Sequence, residues 1–249
     1  MPAPRLIDIA VNLSRRLKRL AFSCPAAFVY DPTDYAVEPL TLYLERYGNG
    51  PKKVVLVGMN PGPWGMLQTG VPFGETGFVR DWMGIEGPVR SPAVIHPKRP
   101  VDGFDCARSE VSGKRLWGWA ENRFGFPDDF FRDFFVLNYC PLAFFDKGGR
   151  NITPDKLTAA DKEPLFRLCD RAIRQNIEVL APDSVIGIGR FAYGRCLTAL
   201  DGAVLKVGRI THPSPANPAA NRGWESIIER EFSGLGIDLP VTGAGRTRV

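Results

Sequence analysis

The sequence predicts an α/β fold, a three-layer sandwich in which a central, mostly parallel four-stranded sheet is flanked by helices. Three observations lead there. Short continuous apolar runs such as Val54-Val55-Leu56-Val57 and Phe134-Phe135-Val136-Leu137 have the character of strands covered on both faces. Such runs alternate with segments of helical periodicity, the arrangement that builds a parallel sheet through crossover connections. The 249 residues show no composition break and suit one domain with a large core better than two small ones. One domain over residues 1–240 is expected, followed by a tail over 241–249 that lacks apolar periodicity and should fray.

Each element has its own signal. Leu6, Ile9, Leu13, Leu17 and Leu20 fall on one helical face, so an amphipathic helix opens the fold. The cluster Arg15, Arg16, Lys18 and Arg19 beside it reads first as a solvated face and second as a contact for DNA. A short helix over Glu38 to Arg46 precedes a Gly-Asn-Gly-Pro turn and the strand Val54–Val57. From Val79 to about Lys114 the chain is rich in Pro, Gly and basic residues and is too long for an ordinary connection. A helix near Leu116 to Arg123 follows, then the strand Phe134–Leu137. Phe166, Cys169, Ile173, Ile177 and Leu180 keep helical spacing, and Pro182 stops that helix. Ser184 to Gly189 reads as a third strand, Phe191 to Leu200 as a helix, and Val204 to Thr211 as a fourth strand.

Bulk composition narrows the classes of function. A net charge of +5 and a pI near 9.0 permit binding to nucleic acid or to an anionic surface. The five cysteines (Cys24, Cys106, Cys140, Cys169, Cys196) show no Cys-x-x-Cys spacing, which points to reduced thiols and away from a zinc knuckle or iron–sulfur cluster. Two histidines, His96 and His212, are too few for a multi-histidine metal centre. No secretory leader and no run of about 20 apolar residues is present, so a soluble intracellular protein is expected.

The most informative stretch is Gly58 to Gly74, GMNPGPWGMLQTGVPFG, with five glycines in seventeen residues directly after the first strand. Glycines let the backbone approach a flat ligand, and Met66 and Phe73 supply apolar surface. Three strands end in polar residues: Asn60, Asn138 and His212. If those ends share one edge of the sheet, two amides and an imidazole converge on one crevice. An isolated Asn at such a place more often caps a turn, but three such ends in one chain shift the balance.

The chemistry open to this trio is specific. An amide carries an acceptor and two donors, matching the N3–H and O4 edge of uracil while mismatching cytosine, so Asn138 is suited to reading a pyrimidine. Asn60, as an amide, is no general base near neutral pH and would orient water rather than deprotonate it. Orientation suffices against an oxocarbenium-like sugar. His212 is then placed to stabilise a departing base anion through O2.

These segments, with His212 to Trp224 (HPSPANPAANRGW), Arg80-Asp81-Trp82, His96 to Pro100, Arg108 to Gly113 and Asn138 to Leu142, closely resemble the single-strand-selective monofunctional uracil-DNA glycosylases of the uracil-DNA glycosylase superfamily. The resemblance runs from about residue 50 to 230 and implies the uracil-DNA glycosylase-like sandwich. It implies a hydrolase that removes uracil, and 5-hydroxymethyluracil and related C5-modified uracils, from DNA to leave an abasic site for base excision repair. Asn60 and His212 would be catalytic. Phe73 would stack on the base, Asn138 would read its pairing edge, the Met59 backbone would contact it, and Gly62 and Met66 would shape the pocket beside C5. The segment from Pro213 to Trp224, with Pro213, Ser214, Pro215, Ala216 and Asn217 at its start and a helix beginning near Asn217, would form the wedge that enters DNA, and Asn221 and Arg222 would contact phosphates. Ala216 stands where relatives often carry arginine, which shortens the wedge.

No lysine lies in the two motifs to form a Schiff base, so strand cleavage is not expected. No metal or organic cofactor is expected. The expected partner is single- or double-stranded DNA carrying uracil or a modified uracil, with no membrane and a monomeric chain, in the cytoplasm or nucleoid of a bacterium or the nucleus of a eukaryote. Two alternatives stand beside this reading: a superfamily relative with hypoxanthine or xanthine as its main substrate, and a non-catalytic module that holds flipped or single-stranded DNA. Gly187-Ile188-Gly189 lacks the third glycine of a dinucleotide fingerprint. His96 is expected to contact DNA or pack locally rather than take part in catalysis.

Overall fold

The computed structural model describes residues 2–240; the tail expected over 241–249 lies outside the described residues. Helix α1 (Pro2–Leu17) buries Ala3, Leu6 and Leu17 on its inner face, while Arg15, Arg16 and Arg19 are exposed and Lys18 pairs with Asp34 at 2.7 Å. Strand β1 (Phe28–Tyr30) leads to the single turn α2 (Pro32–Tyr35), capped by Asp31, and to α3 (Val37–Tyr47). Strand β2 (Val54–Gly58) is buried along its whole length.

The glycine-rich stretch then winds through α4 (Met66–Thr69). The basic segment beyond Val79 holds one π turn (Phe78–Trp82) and one 3-10 turn (Gly103–Asp105) before α5 (Val111–Phe124) and α6 (Pro127–Asp133). Strands β3 (Phe134–Asn138), β4 (Ala143–Phe145) and β5 (Asn151–Ile152) precede the long α7 (Ala159–Leu180). The chain closes with β6 (Ser184–Ile188), α8 (Arg190–Ala199), β7 (Lys206–Ile210) and α9 (Trp224–Gly234).

The central sheet has the order β3-β2-β6-β7 and all of its pairings are parallel. Gly58 is opposite Asn138, Val57 opposite Gly187, and Ile188 opposite Ile210, so the carboxyl ends of all four strands lie on one edge. The chain leaves β2 toward β3 on one side and returns to β6 on the other, which makes the β2/β6 boundary the switch point where such sheets open a crevice. Helices flank the sheet: α8 packs on β6 and β7, α9 on β7, α7 against α1 and α8, and α5 against α6 and α9. Trp117, Trp119, Phe130, Phe131, Phe135 and Phe232 are all fully buried and give one end of the core a dense aromatic packing.

Three features depart from the sequence reading. A second, antiparallel sheet of order β1-β4-β5 joins residues more than a hundred positions apart. Helix α5 starts at Val111, within the stretch expected to be loop, and α6 was not anticipated. The segment after β7 remains irregular through one 3-10 turn (Ala220–Arg222), and its helix begins at Trp224 rather than near Asn217. Pro213, Pro215 and Pro218 lack the amide N–H that helical hydrogen bonding requires and fix the backbone of that segment as a loop. Among the described residues no helix is long and apolar enough to cross a membrane, and all five cysteines are free.

Candidate active site

A cavity of about 330 Å³ opens at the carboxyl edge of the central sheet. Met59, Asn60, Gly62, Phe73, Asn138, His212 and Ser214 line it, so strand ends separated by more than 150 residues meet at one place. Met66 stands behind this surface: it is buried, and Asn138 Nδ2 donates to its sulfur at 3.1 Å. A thioether accepts but cannot donate, so this contact assigns the amide nitrogen to Met66 and leaves Oδ1 as the other arm of Asn138. That oxygen is buried and has no hydrogen-bond partner. A buried acceptor without a donor costs about 1–3 kcal/mol, and a ligand N–H would satisfy it.

Gly58 forms the floor between Asn138 and Phe73. A Cβ there would lie 2.3 Å from Asn138 Oδ1 and 2.5 Å from Phe73 Cε2, so only glycine lets amide and ring come together over the strand end. Phe73 itself has φ of 55°, uncommon for a residue with a side chain. Its carbonyl accepts the Trp117 indole N–H at 3.0 Å, which pins this backbone to α5.

Asn60 donates through Nδ2 to the Leu142 carbonyl at 3.3 Å, which leaves Oδ1 as its acceptor for a further donor. Next to Asn138, the Tyr139 hydroxyl donates to Asp170 of α7 at 2.7 Å, and Asp170 pairs with Arg195 of α8. This network anchors the end of β3 to two helices. The Met59 carbonyl accepts from Cys140 N–H at 2.9 Å and so ties β2 to β3 just beyond the sheet.

His212 follows β7. Its Nδ1 accepts the Ser214 N–H at 3.0 Å, and its ring centroid is 6.2 Å from that of Phe73. Burial pushes its pKa down to about 4, so the ring is neutral at physiological pH. The loop beyond it is cross-braced: Arg115 donates to the Pro213 carbonyl and to Asn221 Oδ1, each at 2.8 Å, and Asn221 Nδ2 donates to the Pro215 carbonyl at 3.0 Å. Asn217 Nδ2 donates to the His212 carbonyl at 3.1 Å. Pro213 is buried, whereas Pro215, Ala216, Asn221 and Arg222 are exposed.

The cavity also includes Pro61, Pro63, Glu110, Ser112, Asn151 and Thr153, which sequence reasoning did not assign. Glu110 is the most informative of them. Its carboxylate accepts the Trp64 N–H at 3.2 Å, and a Cβ on Gly62 would lie 2.4 Å from its Oε2. Burial raises its pKa. The only sequence signal was its place in the Arg108 to Gly113 segment. His96 packs locally: it is buried, its Nδ1 accepts from Lys98 N–H at 3.0 Å, and its backbone N–H donates to the Tyr30 hydroxyl at 2.7 Å. Gly187 lies within β6, and Gly189 makes the turn from β6 into α8, where its N–H donates to the Ile210 carbonyl at 2.8 Å. Among the described residues no group of three His, Cys, Asp or Glu side chains is placed to hold a metal ion.

Comparison with known proteins gives a consistent result. The family model described as "Uracil DNA glycosylase superfamily" matches residues 45–229. The chain is 46% identical over 247 residues to a Bos taurus protein named single-strand selective monofunctional uracil DNA glycosylase, covering 96% of this chain and 90% of that one. It is 45% identical over 248 residues to the Rattus norvegicus protein of that name, covering 99% and 89%. Its fold is similar to the crystal structure of wild-type Pedobacter heparinus SMUG2, with a TM-score of 0.67 at 15% identity over 94% of this chain and 97% of the other.

Proposed function

The chain belongs to the uracil DNA glycosylase superfamily, and from that premise we propose that it is a monofunctional uracil-DNA glycosylase, hydrolysing the N-glycosidic bond of uracil in DNA and leaving an abasic site. The observation that carries the reading is the convergence of Asn60, Phe73, Asn138 and His212 on one cavity, with a buried, unpartnered oxygen on Asn138.

In the proposed arrangement the uracil ring lies against Phe73. Its N3–H donates to Asn138 Oδ1, and the Met59 backbone offers its N–H. The neutral His212 donates from Nε2 to O2 as negative charge develops on the departing base, a contact that strengthens toward the transition state. Asn60 holds water for attack on the sugar, once bond breaking has made it strongly electrophilic. Water and the chain's own amide, imidazole and backbone groups supply each step. The space a side chain at Gly62 would take is held by the Glu110 carboxyl, a polar lining group that suits a hydroxyl-bearing substituent at C5 and so supports 5-hydroxymethyluracil and related bases as further substrates.

The loop from Pro213 to Gly223 acts as the wedge. Arg115 stiffens it from behind, Asn217 fixes its start, and the exposed Asn221 and Arg222 face phosphates. With the short side chain of the exposed Ala216 in it, the wedge fills a vacated base stack poorly, which favours single-stranded over duplex DNA. We propose action as a monomer, in the cytoplasm or nucleoid of a bacterium or the nucleus of a eukaryote.

The test is release of free base from end-labelled oligonucleotides carrying one uracil, single-stranded and duplex, read before and after alkali. Free uracil with a strand that breaks only after alkali is expected. Binding without release at stoichiometric protein would reduce the chain to a binding module, and faster release of hypoxanthine or xanthine would move the main substrate to a purine.

A further inference from the structure

Beside the cavity, the Trp64 indole carries two guanidinium groups. That of Arg108 lies 4.3 Å from the ring centroid and that of Arg99 lies 5.5 Å from it. Arg99 is also 5.5 Å from the Phe145 ring, and its Nε donates to the Gly149 carbonyl at 2.7 Å, which fixes the stem and leaves the two terminal nitrogens. Arg108 is exposed and makes no ion pair among the described residues. Trp64 is joined directly to Pro63 and Gly62, which line the cavity, and its N–H is held by Glu110.

A guanidinium lying on an aromatic face keeps its N–H edge free for oxygen acceptors, whereas the face it covers is closed to a stacking base. Two such groups on one indole, next to a cavity that takes a single nucleotide, suit a phosphodiester better than a base. We propose that Arg99 and Arg108, set in place by Trp64, clamp a backbone phosphate of the DNA strand flanking the nucleotide in the cavity. The inference rests on the glycosylase reading for the identity of the strand. Arg108 and Arg99 bind the phosphate, and Trp64 is a positioning residue that acts through them.

The test compares wild type with Arg108→Gln and Trp64→Leu on single-stranded uracil oligonucleotides across a range of salt. Arg108→Gln should raise KM several-fold, leave kcat at saturation unchanged, and reduce the slope of log affinity against log salt by part of the roughly 0.7 that marks the loss of one single-strand phosphate contact, with the Arg99→Gln/Arg108→Gln double variant losing the whole of it. Trp64→Leu should move KM and slope in the same direction, and Trp64→Phe should restore most of both. A neutral methylphosphonate scanned along the flanks should weaken wild type at one position, cost Arg108→Gln less there, and cost the Arg99→Gln/Arg108→Gln double variant nothing further. An unchanged KM and slope in Arg108→Gln, or a Trp64→Leu protein with lowered melting temperature and kcat but intact slope, would overturn the clamp. If wild type releases no uracil, the glycosylase reading fails instead, and the salt slope for plain single-stranded DNA still reads the clamp.

Discussion

The backbone N–H of Ser214 donates to Nδ1 of His212 at 3.0 Å, which places the single proton of the neutral imidazole on Nε2. The tautomer that the proposed donation to a departing base needs is therefore set by a backbone N–H two residues farther along the same loop.

From this pairing a pH dependence follows. The His212 pKa falls from its ordinary 6.5 to about 4 on burial, so between those values the unfolded chain binds the proton and the folded one does not. Stability should then rise with pH across that window and be lost as pH falls through it. Melting temperatures against pH should show a shallower rise in His212→Ala than in wild type. Turnover in wild type should stay level from about pH 8 to about pH 5 and fall below as the ring titrates. His212→Ala should lose turnover by orders of magnitude at every pH; a near-wild-type rate would remove His212 from the mechanism.

Asn60→Ala removes the acceptor proposed to hold water and also the bond to the Leu142 carbonyl. Single-turnover cleavage should slow by about 10²–10³-fold, the range for losing one group aligned to a transition state, with DNA affinity largely kept. Parallel measurements of single-turnover rate and of binding to uracil DNA separate the two effects.

Asn138→Asp exchanges the donor held by the Met66 sulfur for an oxygen. An acceptor set against sulfur loses that contact and changes which hydrogen-bonding pattern the cavity matches, so preference for uracil over other bases should weaken. Relative excision rates on a panel of bases give the answer, and an unchanged preference would reject the reading role.

Ala216 is exposed in the loop after His212, and its N–H is held by Ser214 Oγ at 3.2 Å. Ala216→Arg lengthens the proposed wedge without disturbing that bond. The ratio of duplex to single-strand excision should rise several-fold while single-strand kcat stays the same. A flat ratio would show that this loop does not fill the stack.

How much of this was legible in the sequence depends on the range of the interaction. Val54–Val57 and Phe134–Leu137 announce themselves because parallel strands buried on both faces are apolar throughout. The glycine-rich turn and the strand-end Asn and His residues carry local signatures as well. The side sheet does not: Ala143–Phe145 and Asn151–Ile152 are too short to show a period, and β1 pairs with β4 only because the tertiary structure brings them together. Helix α5 was shortened in the reading by Gly113 and its basic neighbours, yet Gly113 is buried close against the Phe73 carbonyl and is needed there. Glu110 was missed as part of the cavity because its partner Gly62 is far away in sequence. Met66 was read as lining the pocket, and a residue that touches the pocket only through Asn138 cannot be told from a lining one by motif alone.

The parallel register has a last consequence. Because Asn60, Asn138 and His212 each follow the carboxyl end of a different strand, the placement of each relative to the other two runs through the pairing of the strands that carry them. Losing the β2–β3 pairing parts Asn60 from Asn138, and losing β2–β6 or β6–β7 parts His212 from both. The alignment of the three side chains is thus a property of the whole sheet rather than of any one loop, and a sheet opened at any of these seams would part them.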